Sequence, residues 1–121
     1  MEDKKNGSVK ISEEVVASIV TTAAMETEGV ARVYQKLQPA TKAAVPASKH
    51  VIKGVVITTL NDGVDLTVQL EVKLGYKIPD VANAVQKHVA DSVRSMTGLN
   101  VLHVNAVVLS VVDSSKIEGA Q

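Results

Sequence analysis

The amino-acid sequence predicts an α+β fold, a two-layer sandwich with two helices on one face of a three- to four-stranded mixed sheet. Three observations lead to this prediction. Valines recur with helical spacing between residues 79 and 98, apolar and polar residues alternate strictly between residues 64 and 76, and an Asn-Asp-Gly turn precedes that alternation. With the segments around them, these features give the element order β-α-β-β-α-β.

The first predicted helix begins after Ser12, whose hydroxyl can cap it, and two glutamates follow in the first turn, where the helix dipole favours negative charge. The side chains predicted to point inward are Val16, Ile19, Val20, Ala23 and Ala24. Gly29 marks the end of this helix. A short strand over residues 9–11 is predicted to precede it.

The second predicted helix has a start, a periodic body and a stop. Pro79 suits its first turn, where the missing N–H breaks no intrahelical hydrogen bond. Gly98 suits its end, where a left-handed residue commonly closes a helix. The apolar stripe between them consists of Val81, Val85, Val89, Val93 and Met96.

Two strands are predicted to form a hairpin about the Asn61-Asp62-Gly63 turn. The first is the β-branched segment from Val51 to Leu60. In the second, the side chains expected to face the core are Val64, Leu66, Val68, Leu70, Val72, Leu74 and Tyr76. The opposite face, expected to be in water, carries Asp65, Thr67, Gln69, Glu71 and Lys73.

The last predicted strand covers residues 100–112 and is apolar on both faces toward its end. Val107, Leu109 and Val111 add a second apolar face to the one formed by the even-numbered residues. Three interpretations remain open: the strand is central and packed on both sides, its second face is covered by another protein, or it is an edge strand that pairs with its copy. Val107, Leu109 and Val111 are therefore a candidate interaction surface.

Length and composition indicate one domain, over residues 9–113, with a disordered N-terminal tail (1–8) and a C-terminal tail (114–121). The chain has 121 residues, 45% of them apolar, with no Phe or Trp, so its core must be built from aliphatic side chains. It has no cysteine, which excludes disulfides and thiolate chemistry. No secretory signal or membrane-spanning run is evident, so we expect a cytoplasmic protein.

Charge is balanced overall but unevenly distributed. Thirteen basic and thirteen acidic residues cancel, yet no Asp or Glu lies between Gly29 and Asn61. Five basic residues fall there: Arg32, Lys36, Lys42, Lys49 and Lys53. Residues 35–50, with two prolines and several small polar residues, are predicted to be a flexible loop. This basic stretch is either a solvated loop or a docking surface for an acidic partner or an anionic lipid.

No catalytic, metal or cofactor site is predicted. The three histidines, His50, His88 and His103, show no metal-binding spacing, and the sequence has no nucleophile elbow or phosphate-binding loop. The element order also occurs in small RNA-binding modules, but the strands have no Phe for base stacking. A nucleic-acid-binding regulator using the basic stretch remains the alternative, and its binding would weaken steeply with added salt.

Three blocks resemble a known family. The first is G-x-V-x-I-S-x-x-V-V from Gly7, closed by Glu-Gly-Val at Val30. The second runs from Lys-Gly-Val at Lys53 to Tyr-x-Ile-Pro-x-Val at Tyr76, and the third joins Met-Thr-Gly at Gly98 to a Val-x-x-Val-Asn strand. In this order they resemble the alkaline shock protein family of Gram-positive bacteria, over nearly the whole chain.

That resemblance implies a small cytoplasmic protein associated with cell-envelope and alkaline stress. Some members gather at the membrane through a partner, and the family offers no catalytic residues to carry over. The predicted function is therefore non-catalytic, as a scaffold or regulator acting through protein–protein contacts, with a protein partner, possible self-association and no small-molecule substrate or cofactor.

Overall fold

Five strands and three helices form the fold over residues 12–42 and 50–113, the part of the chain that the computed structural model describes. The strands are β1 (Val30–Val33), β2 (His50–Ile52), β3 (Val55–Leu60), β4 (Gly63–Lys73) and β5 (Val101–Val112), and the helices are α1 (Glu13–Glu26), α2 (Pro39–Lys42) and α3 (Ile78–Thr97). The predicted strand at residues 9–11, both predicted tails and residues 43–49 lie outside the described residues.

Strand β4 is the centre of the sheet. Strand β5 pairs in parallel with the whole length of β4 and forms one edge of the described sheet. On the other edge, β3 pairs antiparallel with the first half of β4 and β1 with the second half, and β2 extends the sheet beyond β3. The predicted mixed sheet is confirmed, with five strands instead of three or four.

The additional strands have a local cause in the sequence. The predicted strand from Val51 to Leu60 is interrupted by a tight turn at Lys53 and Gly54, whose φ angles of 52° and 81° are both positive. Positive φ angles at both central residues are what a two-residue hairpin turn of type I′ requires. β1, which was not among the predicted strands, adds a strand beside the second half of β4. The predicted hairpin at Asn61-Asp62 is confirmed, with Leu60 opposite Gly63.

The two long helices cover one face of the sheet, which we call the inner face. The Ser12 hydroxyl accepts a hydrogen bond from the Val15 N–H at 3.2 Å and so caps α1. α3 ends at Gly98, which has a φ of 77°. Helix α1 packs over β1 and β3, whereas α3 packs over β5. The predicted two-layer α+β arrangement is therefore confirmed.

The core lies between this helix layer and the inner face. Its fully buried side chains include the alternate residues of β4 and one stripe of α3: Leu66, Val68, Leu70, Val72, Val85, Val89 and Val93. Burying a valine or leucine side chain contributes about 1.5–3 kcal/mol, so this aliphatic interface accounts for much of the stability. Since the chain has no Phe or Trp, the described core consists of aliphatic side chains.

Candidate interaction surfaces

Strand β5 lies at an edge of the described sheet, so the interpretation of a central strand packed on both sides is wrong. Its pairing with β4 shifts register twice, between Val64 and Asp65 and between Leu70 and Glu71. The residues left without a partner in β4 are Leu102 and Leu109, each of which forms a β-bulge. The stretch between the bulges, His103–Val108, alternates regularly.

The bulge at Leu109 divides the predicted surface of Val107, Leu109 and Val111. Val107 is in register with Gln69, whose side chain leaves the sheet on the outer face, opposite the helices. Beyond the bulge, odd-numbered residues of β5 change to the other face of the sheet. Val111 is in register with Val72, a core residue of the inner face. Since cross-strand neighbours share a face, Val107 and Val111 lie on opposite sides of the sheet. The three residues do not form one patch.

The outer face of β4 is partly covered by the segment 35–42, which includes α2. Gln69 is fully buried, at 0% exposure, and holds this segment in place. Its amide nitrogen donates to the carbonyl oxygens of Gly54 at 2.9 Å and Lys36 at 3.2 Å. Its amide oxygen accepts from the Gln38 N–H at 2.8 Å. Within the stretch predicted to be a loop, Pro39–Lys42 forms the short helix α2.

Glu71, the next outer-face residue of β4, is also buried. Its carboxylate accepts a 2.6 Å hydrogen bond from the Tyr34 hydroxyl and pairs with the Arg32 guanidinium at 3.2 Å. Burial by itself would raise the pKa of Glu71, but hydrogen bonds from Tyr34 and Ser110 and the charge of Arg32 outweigh it, so its pKa lies below the ordinary value. The expectation of a solvated outer face is therefore wrong at Gln69 and Glu71.

The basic residues do not act as one charged group. Arg32 is neutralised by Glu71 and lies over the Tyr34 ring, 4.7 Å from its centroid. Lys53 is exposed in the β2–β3 turn, and Gly54 beside it packs against the backbone of Tyr34 and Gln35, just before the exposed Lys36. Lys42 is the last residue of α2, and Lys49 lies outside the described residues.

Each histidine contacts a different carboxylate. His50 of β2 pairs with Glu13 of α1 at 2.6 Å, His88 of α3 lies 3.8 Å from Glu26, and His103 of β5 lies 3.1 Å from Asp65. The pairs belong to separate parts of the fold. Within the described ranges, no group of three or more His, Asp or Glu side chains is arranged to hold a metal ion.

Four exposed apolar side chains lie at the end of the fold where β4 ends, α3 begins and β5 ends. We call Leu74, Tyr76, Ile78 and Val111 the apolar end. Leu74 is 64% exposed, and its N–H donates to the Val112 carbonyl at 2.7 Å, which ties the β4–α3 connection to the end of β5. Leu74 and Tyr76 were expected to face the core, but β4 ends at Lys73 and the chain turns at Gly75.

Tyr76 contacts the turn that follows α1. Its hydroxyl donates to Glu28 at 3.2 Å, and this hydrogen bond raises the pKa of the phenol. Its ring packs against Gly29, where an added Cβ would lie 3.0 Å from the ring. These two contacts favour one orientation of the exposed Tyr76 side chain, which suits a contact residue.

The matching family model covers residues 1–113 and describes a family with a cell envelope-related function. The chain belongs to the alkaline shock protein 23 family. The resemblance inferred from the three sequence blocks is confirmed. The match covers every described element of the fold, from α1 to the end of β5.

Two curated relatives support this membership. "Uncharacterized protein YqhY" of Bacillus subtilis (strain 168) is 29% identical over 120 residues, covering 99% of this chain and 88% of that protein. "Uncharacterized protein Spy1614" of Streptococcus pyogenes serotype M6 is 27% identical over 114 residues, covering 88% of this chain and 89% of that protein. A cell envelope-related function is therefore the functional statement that these similarities support, and they point to no catalytic family.

Among solved structures, "MamM-CTD H285A" is similar with a TM-score of 0.50 and 12% sequence identity, covering 82% of this chain and 98% of that one. At this identity the similarity concerns the fold alone. No helix among the described residues of this family member is both long and apolar enough to cross a membrane.

Sequence reasoning missed Gln69, Tyr34 and the apolar end. Gln69 has the position of a solvent-facing residue in a strictly alternating strand, and only the crossing of segment 35–42 buries it. The apolar end had a sequence signal: Gly75 between two apolar residues marks a turn, which would have placed Leu74 and Tyr76 outside the strand.

Proposed function

We propose that the protein is a non-catalytic scaffold or regulator of the cell-envelope and alkaline stress response that acts through protein–protein contacts. In this proposal it works in the cytoplasm and is brought to the membrane by a membrane-anchored partner that binds the apolar end. The family's cell envelope-related description supports the setting. The observation that carries the proposal is the apolar end itself.

Three properties of the apolar end suit a protein partner. Its side chains are exposed although the protein has ample polar residues, and an exposed apolar cluster commonly marks an interaction site. Tyr76 offers both a ring and a hydroxyl fixed by Glu28, and aromatic residues are frequent among those that dominate binding energy. The Leu74–Val112 hydrogen bond joins the β4–α3 connection to the end of β5, so the backbone beside Leu74 is supported.

The ion pair of Arg32 with Glu71 weighs against the alternative of a nucleic-acid-binding regulator. The Glu71 carboxylate, 3.2 Å from the Arg32 guanidinium, offsets the positive charge that Arg32 would present to a phosphate. Among the described side chains of this stretch, Lys36 and Lys53 are exposed.

The test is cell fractionation of the full-length protein and two exposed variants. Leu74→Glu places a charge in the apolar end, and Met96→Glu places the same charge on a side chain that is 72% exposed near the other end of α3. We expect the Leu74 variant to lose association with the membrane fraction by about tenfold and the Met96 variant to retain it. Equal association of both variants and the wild type would refute the apolar end as the binding site.

A further inference from the structure

A small pocket lies between the middle of α1 and the turn that joins β2 to β3. Its volume is about 170 Å³, below the roughly 300–1,000 Å³ of sites for drug-sized ligands. The residues that line it are Ser18, Thr21, Thr22, Gln35 and Lys53. Each of these side chains can donate a hydrogen bond, and the charge among them is positive. The pocket therefore suits a compact anion.

Three segments of the fold build this pocket. Ser18 is three residues from Thr21 and four from Thr22, so the three hydroxyls lie on one side of α1, with roughly 5–6 Å between neighbouring Cβ atoms. Gln35 lies beside the β2–β3 turn because Gly54 packs against its backbone. A Cβ added at Gly54 would be 2.8 Å from the Gln35 carbonyl carbon. The donors of helix and turn thus converge on one space.

The donors of this pocket are not used within the described fold. Serine and threonine in a helix often donate to the carbonyl oxygen one turn earlier, as Thr27 does to Ala23 at 2.9 Å and Thr97 does to Val93 at 2.7 Å. The side chains that line the pocket make no hydrogen bond or ion pair with a described residue. They are therefore available to a ligand that displaces water.

Lys53 has a backbone conformation that lysine rarely adopts. Its φ is 52°, and it is the one non-glycine residue of the described chain with a positive φ. It occupies the first central position of the β2–β3 turn, where Asn, Asp and Gly are the favoured residues. Backbone strain of this kind is concentrated at functional sites. Because the turn itself does not favour lysine, what lysine brings to this position is its positive charge.

The surroundings of the pocket leave that charge decisive. The acidic residues of α1 lie at its two ends, and between Glu14 and Glu26 the helix has no charged residue. The helix dipole acts on the first and last turns, so it adds little beside the middle of α1. Lys36, which is exposed and follows Gln35 in the chain, adds positive charge nearby. An anion in the pocket would therefore depend on Lys53.

We propose that this pocket binds a phosphate monoester group, with the Lys53 ammonium as its counter-ion and the hydroxyls of α1 as hydrogen-bond donors. A phosphate monoester carries a charge of about −1.5 to −2 at pH 7 and three acceptor oxygens, which matches one cation surrounded by neutral donors. Lysine binds phosphate as a point charge, without the paired geometry that arginine uses. The site goes beyond the proposed function, because it is separate from the apolar end.

The test is a nuclear magnetic resonance titration of the isotope-labelled, full-length protein with inorganic phosphate at constant pH and ionic strength. We expect saturable shifts of the Thr21, Thr22 and Gly54 amide signals. Lys53→Met should raise the phosphate dissociation constant about tenfold or more. Thr21→Val, which keeps the shape of the side chain, should raise it about threefold. Lys87→Met removes another lysine, 80% exposed on α3, and should leave it within about twofold.

A second measurement identifies the molecule that carries the phosphate group. Vesicles of phosphatidylcholine mixed with phosphatidic acid present the monoester on a lipid, and vesicles of phosphatidylcholine alone are the control. Co-sedimentation that requires both phosphatidic acid and Lys53 would assign the site to a lipid headgroup. Phosphate binding without such co-sedimentation would assign it to a soluble phosphate compound.

The absence of saturable shifts at tens of millimolar phosphate would overturn this proposal. So would shifts confined to other parts of the fold, or an affinity that Lys53→Met leaves unchanged. Leu74→Glu should not alter phosphate binding, since the apolar end is a separate surface. A protein that fails to bind phosphate while its membrane association depends on Leu74 would therefore refute the pocket and leave the proposed function standing, and the opposite pair of results would do the reverse.

Discussion

Replacing Gln69 by Leu should detach the segment 35–42 from the outer face of the sheet. The two side chains are similar in volume, so the change opens little cavity, but it removes every hydrogen bond that the Gln69 amide makes. The Gln38 N–H loses its acceptor at 2.8 Å, and the Gly54 carbonyl loses its donor at 2.9 Å. The Lys36 carbonyl keeps a second donor, the Gln38 side chain at 2.9 Å.

The expected loss follows from two backbone groups left without their side-chain partner. A buried polar group without a hydrogen bond costs about 1–3 kcal/mol, and release of the segment into water would limit that cost. We therefore expect the free energy of unfolding to fall by about 2–4 kcal/mol. Urea unfolding followed by far-ultraviolet circular dichroism measures this directly. Amide exchange at Gln38 should accelerate in parallel.

The matched control is Thr67→Val, on the same strand and the same face. The Thr67 hydroxyl accepts only a long hydrogen bond, at 3.4 Å from Asn105, so this variant should change the unfolding free energy by less than about 0.5 kcal/mol. If Gln69→Leu unfolds at the same urea concentration as the wild type and its Gln38 amide stays protected, the assigned role of Gln69 is incorrect.

Three further predictions concern other parts of the sheet. Hydrogen bonding lowers the pKa of Glu71 in the folded protein. The stability that the ionised Glu71 contributes is therefore present at neutral pH and is lost as the pH falls through that lowered pKa. In urea titrations at decreasing pH, Glu71→Gln should lose less stability than the wild type. Gly54→Ala should destabilise the protein by about 1–3 kcal/mol more than Gly75→Ala in thermal unfolding. Both glycines have a positive φ, but an added Cβ at Gly54 would lie 2.3 Å from the Tyr34 carbonyl oxygen, whereas one at Gly75 would have no neighbour within 4 Å. Leu109→Asp, at the bulge, should weaken an oligomer or partner complex in sedimentation while unfolding remains cooperative, and a collapsed or unfolded variant would instead place Leu109 in the core.

The helices and the central strand could be predicted because local chemistry determines them. Ser12 caps α1, Gly98 closes α3, and the strict alternation of β4 survives unchanged from Val64 to Val72. In each case a residue type requires one backbone state or one face, and no distant contact is needed to decide it. The tertiary structure agrees with these local preferences.

The candidate surfaces were less predictable because they depend on contacts between distant segments. The bulge at Leu109 reverses the alternation of β5, so counting odd residues placed Val107 and Val111 on one face when they lie on two. No residue type marks a bulge in a run of valines. The burial of Gln69 likewise depends on the path of segment 35–42, which passes over β4 from a position more than thirty residues earlier in the chain.

The central claim, that the apolar end binds a membrane-anchored partner, is tested most directly by site-specific photo-cross-linking in the source cells. The photoreactive residue is placed at Leu74, with Met96 as the exposed apolar control, and membrane and soluble fractions are examined separately. The account predicts that Leu74 cross-links to one membrane protein and that Met96 does not. Equal cross-linking from both positions, or recovery of nucleic acid that is lost on raising the salt concentration, would contradict it.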